Sequence, residues 1–112
     1  MGAPRLNRRL VLEARSDAPD GAGGFAPVWV PLGTLWADVD ARTGRDRAGE
    51  EAALSNMTHR ILVRAAPHGA PSRPEPGQRL RDGSRAFVIM AVAERDARAR
   101  YLICFAEEEV SL

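Results

Sequence analysis

Read with the two-residue period of a strand, Thr58 to Arg64 would put His59, Ile61 and Val63 on one face and Thr58, Arg60, Leu62 and Arg64, a mostly polar set, on the other. A period of two is the mark of a strand with one buried side, and it recurs along the chain. Leu6–Ala14 reads as a first strand, with Leu6, Leu10, Leu12 and Ala14 on one face although Arg8 interrupts it. Val28–Asp40 is a long strand region in which Pro31 and Gly33 point to an edge position or a bulge. Trp29 and Trp36 would fall on opposite faces of an unbroken strand, and a one-residue bulge near Pro31-Leu-Gly33 would bring them to the same side. Gln78–Arg81 is a short strand, the turn signal Asp82-Gly83 leads into Arg85–Ala93, and Arg100–Glu107 follows after the charged turn Glu94–Arg98. No amphipathic helix is available to cover such a sheet, so it must fold on itself. The expected class is all-β: a small antiparallel β-barrel of about six strands with a long loop between the second and third strands.

That loop is the fifteen-residue segment Arg42–Asn56, between the strands Trp36–Asp40 and Met57–Arg64. Connections this long are uncommon in compact domains and are usually functional or disordered. Arg47 and Glu51 at i,i+4 would allow a short helix within Thr43–Leu54, in the weaker Arg-before-Glu orientation, while Gly44 and Gly49 oppose one. With little apolar weight, the segment should be mobile in a lone subunit. As a hairpin it could reach about 25 Å from the barrel.

At 112 residues the chain is expected to be a single domain over 1–112. Hydrophobic content of 45% against 28% charged is ordinary for a globular chain. All sixteen basic residues are Arg, for which the compositional bias of a sequence rich in Ala, Gly, Pro and Arg is the ordinary explanation and bidentate phosphate recognition the other. Residues 1–56 carry seven Arg against eight acids and residues 57–112 nine against seven, so neither half is a basic arm. Nothing at the N-terminus reads as a signal peptide and no apolar stretch approaches ~18 residues, so no membrane association is expected.

Catalytic chemistry has little support. His59 lies within a strand, His68 in the Pro-rich loop Ala66–Gly77, and with the single Cys104 they match no zinc site. Cys104 sits in the apolar run Tyr101–Phe105 and reads as a core residue. Asp38 and Asp40 are better explained as solvating an outer face than as paired catalytic carboxylates. Gly21–Gly24 is a flexible turn rather than a phosphate cradle, and no P-loop or nucleophile-elbow motif occurs. No enzyme activity, metal or cofactor is expected. The expected core is Leu10, Leu12, Trp36, Ile61, Val63, Phe87, Ile89, Leu102 and Cys104.

The succession Arg9-Leu-Val-Leu-Glu13, Asp20-Gly-Ala-Gly-Gly24, Leu35-Trp-Ala-Asp-Val39, Thr43-Gly-Arg-Asp46, Thr58-His-Arg-Ile-Leu-Val-Arg64, Arg85-Ala-Phe-Val-Ile89 and Arg100-Tyr-Leu-Ile-Cys104 resembles the phage head–tail joining proteins, also called head-closure or stopper proteins. The likeness is collinear over nearly the whole chain and departs from the pattern at Asp46, where Glu is usual, and in the Pro67–Pro76 loop. It implies a β-barrel, made in the bacterial cytoplasm, that forms a homomeric ring at the neck of a tailed phage, prophage or phage-like particle. Its partners would be further copies of itself, the portal and adaptor proteins and the tail terminator or other tail proteins. Packaged double-stranded DNA would pass through the ring. The resemblance also implies that the loop after the Trp-Ala strand projects into the channel and helps retain DNA, which here assigns that role to Arg42, Gly44, Arg45, Asp46, Arg47, Glu50 and Glu51. Pairing of Arg42, Arg45 and Arg47 with Glu50 and Glu51 of the next subunit is preferred to phosphate contact, because a conduit should not grip its cargo. The alternative reading is an OB-like nucleic-acid-binding module, which would need aromatic residues free for stacking.

Overall fold

A computed structural model describes residues 4–42 and 58–109, with the side chain of Arg42 excepted. Six strands occur in it: β1 (Arg8–Pro19), β2 (Phe25–Arg42), β3 (Thr58–Arg64), β4 (Arg79–Asp82), β5 (Arg85–Glu94) and β6 (Tyr101–Glu108). They form one antiparallel sheet in the order β1-β2-β3-β6-β5-β4, and β4 pairs back onto β1 to close it into a barrel. There is no helix among the described residues.

The period-two pattern decides which side chains enter. Leu10 and Leu12 from β1, Ala37 from β2, Ile61 and Val63 from β3, Leu80 from β4, Phe87 and Ile89 from β5, and Leu102, Cys104 and Ala106 from β6 form one cluster, each at most 1% exposed. Burying a large apolar side chain of this kind contributes roughly 1.5–3 kcal/mol. Trp36 is the exception to the expected core. It is 56% exposed, because its neighbour Ala37 takes the inward position and alternation turns Trp36 to the outer face.

β1 and β2 are longer than the barrel is tall. β1 pairs with β4 only over Val11–Glu13, and β2 pairs with β3 only over Ala37–Arg42. The remaining Ala14–Pro19 and Phe25–Val30 pair with each other alone, as a two-stranded ribbon projecting from the barrel. Such a ribbon is marginal by itself. At its root the register shifts, Leu12 facing Gly33 and Glu13 facing Pro31, so that Leu32 is an extra residue in β2. Gly33 has φ +153° there, a region that side-chain-bearing residues avoid. At its tip Asp20 Oδ1 accepts the backbone N–H groups of Ala22 and Gly24 at 2.8 and 3.0 Å, so the glycine-rich turn expected to be flexible is held by its own carboxylate. Those bonds lower the Asp20 pKa.

Two other connections depart from simple expectation. The Pro-rich segment 66–77 is not an irregular loop but forms hydrogen-bonded turns: Ala70 N–H to Pro67 C=O and Arg73 N–H to Ala70 C=O, both 3.0 Å. Arg73 Nη1 returns to Ala66 C=O at 2.7 Å, and Pro74 is buried. In β5 a second bulge makes Met90 the extra residue, facing solvent at 56% exposure.

Candidate assembly surfaces

One end of the barrel is where residues 43–57 leave and re-enter the sheet. The last rungs of β2 with β3 are Ala41 with His59 and Arg42 with Thr58. Gly44, Arg45, Asp46, Arg47, Glu50 and Glu51, assigned to the channel loop on sequence, lie outside the described residues, as does the side chain of Arg42.

The two strands that bracket this segment rise from a tied platform. Arg85 at the start of β5 presents a fork to Glu108 at the end of β6, with Nε to Oε2 at 2.8 Å and Nη2 to Oε1 at 3.0 Å. Bidentate guanidinium–carboxylate pairing is the strong form of this bond. It lowers the Glu108 pKa and raises that of Arg85. Arg8 of β1 is paired with Asp82 of β4 at the closing seam of the barrel. His59 lies beneath, 2% exposed, its ring 4.8 Å from that of Phe87 in edge geometry. Burial pushes its pKa below 6.5; the Glu108 carboxylate opposes this, and Arg85 and Arg8 reinforce it. Its Nδ1 has no hydrogen-bond partner among the described residues.

At the ribbon's root lies a second charged group, which strand-by-strand reading missed. Glu13 belongs to the outward-facing set of β1, yet it is 3% exposed. Arg79 Nε donates to its Oε1 at 2.6 Å and Arg81 Nε to its Oε2 at 2.8 Å. Arg79 also reaches Glu109 at 3.0 Å, and its guanidinium carbon lies 4.3 Å from the Trp29 ring centroid. Burial alone would raise the Glu13 pKa, but the hydrogen bonds from Arg81 and Arg79 outweigh it and hold the carboxylate below its ordinary range. The sequence signal for this group is the i,i+2 pair Arg79 and Arg81 flanking the inward Leu80, but only the β1–β4 closure reveals which carboxylate they meet.

Elsewhere the nucleophiles and carboxylates sit in bland surroundings. Cys104 is buried, with its thiol pKa pushed up to about 12. Asp38 and Asp40 line an open groove of about 330 Å³ with Arg60, Leu62, Arg95 and Ile103. Among the described residues no three His, Cys, Asp or Glu are grouped so as to hold a metal ion.

Fold and surfaces together define a small closed β-barrel whose polar side chains are organised as arginine–carboxylate pairs and arginine–aromatic contacts. Residues 1–109 match the phage head completion protein family, and the chain belongs to it. This makes it a structural protein of the phage head–tail type. Among solved structures it is similar to a chain in the virion of a native gene transfer agent particle, with 53% identity and a TM-score of 0.76 over 97% of this chain and 100% of that one. A solution structure of a protein from Shigella flexneri 2a, 23% identical with a TM-score of 0.66 over 96% of each chain, shares the fold. Among curated proteins none matches the sequence.

Proposed function

We propose that this protein is a head-closure component of a tailed phage or phage-like particle, forming a ring between portal or adaptor and tail. The observation that carries the reading is the match to the head completion family over residues 1–109, joined to 53% identity with a chain of a gene transfer agent virion that is covered in full. In this reading the segment 42–56 lines the channel and retains DNA, with Arg42, Arg45 and Arg47 meeting Glu50 and Glu51 of the next subunit. The barrel supports that role as a stiff mount: Arg85–Glu108 and Arg8–Asp82 tie the strand ends around the point where the segment departs. Closing a ring requires a heterologous contact, one patch of each subunit meeting a different patch on its neighbour.

Electron microscopy of the purified native particle tests the proposal directly. A ring of this protein at the neck is expected, and its absence there would end the reading. The gating role has its own test. Replacing 48–54 with a Gly/Ser linker should leave the melting temperature of the isolated subunit nearly unchanged while particles lose DNA. A large drop in melting temperature with normal DNA retention is the contrary result.

A further inference from the structure

A single row of side chains crosses five strand positions on the outer face. Arg9 of β1 faces Trp36 of β2. The β2–β3 register pairs Ala37 with Val63, and one residue further it sets Trp36 beside Arg64. Arg64 faces Tyr101 of β6, and Tyr101 C=O accepts the backbone N–H of Arg95 at 2.9 Å. The order is therefore Arg9, Trp36, Arg64, Tyr101, Arg95, alternating cation and aromatic ring over about 19 Å at the usual strand spacing. The inward neighbours Leu10, Ala37, Val63 and Leu102 are fully buried, which fixes the row outward.

Two properties mark this row as a binding face. Arg9, Arg64 and Arg95 form no salt bridge among the described residues, in common with Arg5, Arg98 and Arg100, but here the arginines stand in line with two aromatic rings. Trp36 is more than half exposed and borders an open groove of about 590 Å³ lined by Leu6, Thr34, Leu35 and Arg64. Trp, Tyr and Arg are the residue types that dominate binding hot spots, and an exposed apolar notch beside them offers an anchor site.

We propose that this row is a docking surface for an acidic segment of a different protein, with an aliphatic side chain seated in the notch beside Trp36. Charge complementarity selects the partner. The three guanidinium groups call for carboxylates in series, and in the one run of three acids that this chain has, Glu107–Glu109, both Glu108 and Glu109 are already engaged with its own arginines, so an acidic segment of another protein is the better-supplied occupant and a second copy is an outcome of the test. A nucleic acid strand fits less well, because stacking needs free ring faces. Tyr101 is clasped between Arg64 and Arg95, each guanidinium carbon 5.7 Å from its ring centroid, which leaves Trp36 as the open ring of the row. Asp38 and Asp40 share a groove with Arg95, so the acidic segment would centre on Arg9, Trp36 and Arg64. This inference stands on the row alone, and the presence or absence of a ring at a particle neck does not bear on it.

Fluorescence anisotropy with a labelled Glu-rich peptide carrying Leu anchors is the test, run on the full chain beside a Gln-for-Glu version of the peptide and a labelled oligothymidylate. The acidic peptide should bind, more weakly as salt is raised. Arg64→Gln, Arg9→Gln and Trp36→Ala should each weaken it about tenfold. Arg15→Gln, which removes an equal charge from the ribbon, should not, and all four variants should melt like the parent. Failure of the acidic peptide to bind would overturn the proposal, as would equal or tighter binding of the Gln peptide or the oligothymidylate. So would self-association, seen by light scattering, that Arg64→Gln abolishes.

Discussion

Trp29 and Trp36, seven residues apart on one strand, stand on the same outer face of the sheet. Arg15 faces Trp29 and Arg9 faces Trp36, six positions apart on β1, and the odd residue is absorbed at Leu32. The bulge thus lets a single strand present Trp29 to Arg79 at the ribbon root and Trp36 to the arginine row.

Deleting Leu32 should therefore remove the bulge and still leave the ribbon residues of β2 facing as they do, since Trp29 and Trp36, then six positions apart, share one face of a regular strand. Trp29 would keep its contact with Arg79. The expected readout is tryptophan fluorescence close to the parent's. A spectrum in which Trp29 is released to water would mean that the bulge itself sets the ribbon's orientation.

Glu13→Gln leaves Arg79 and Arg81 without their carboxylate while nearly preserving shape. A lost hydrogen bond to a charged group costs about 1.5–3 kcal/mol, and the partial exposure of Arg81 places the result toward the lower end of that range. Urea unfolding of the isolated chain measures it. The loss should be greater than for Arg15→Gln, whose contact with Asp17 is long at 3.9 Å and exposed.

Ile89→Ala should cost roughly 2–5 kcal/mol, because Ile89 is 1% exposed and its removal leaves a cavity between Phe87 and the β6 residues. Met90→Ala, one residue on, should be nearly neutral, as Met90 lies outside the ladder at the β5 bulge and faces water. Denaturant midpoints of the two variants make the comparison.

The pH dependence follows from His59. Its folded pKa lies below 6.5, so as pH falls through that value the unfolded chain takes up a proton that the folded chain refuses. The stabilisation is present above 6.5 and is lost progressively toward the folded pKa. Melting temperature should fall over that interval in the parent and stay flatter in His59→Leu. Glu13 and Glu108, whose pKa values lie below 4.5, contribute a second loss only in more acid solution, and that part should persist in the variant.

What the sequence determined by itself was the class of fold and which side chains share a face. The two-residue repeat of a strand is a local property, and along 58–64, β5 and β6 it groups Ile61 with Val63, Phe87 with Ile89 and Leu102 with Cys104, while Leu62, Val88, Ile103 and Phe105 leave the opposite faces apolar too, so that the packed sheet decides which face turns inward. The interrupted pattern at Pro31-Leu-Gly33 likewise announced a bulge. Trp36 was misplaced because hydrophobicity says what a side chain prefers, whereas the parity of the strand, fixed by small Ala37 turning inward, says where it goes. Which carboxylate Arg79 and Arg81 meet, and the row from Arg9 to Arg95, were not legible. Each joins residues more than sixty positions apart in the chain, and only the order β1-β2-β3-β6-β5-β4 and its registers bring them side by side. Closure of the sheet is a tertiary event: it turns scattered arginines into paired ones at one place and leaves them unpaired at another.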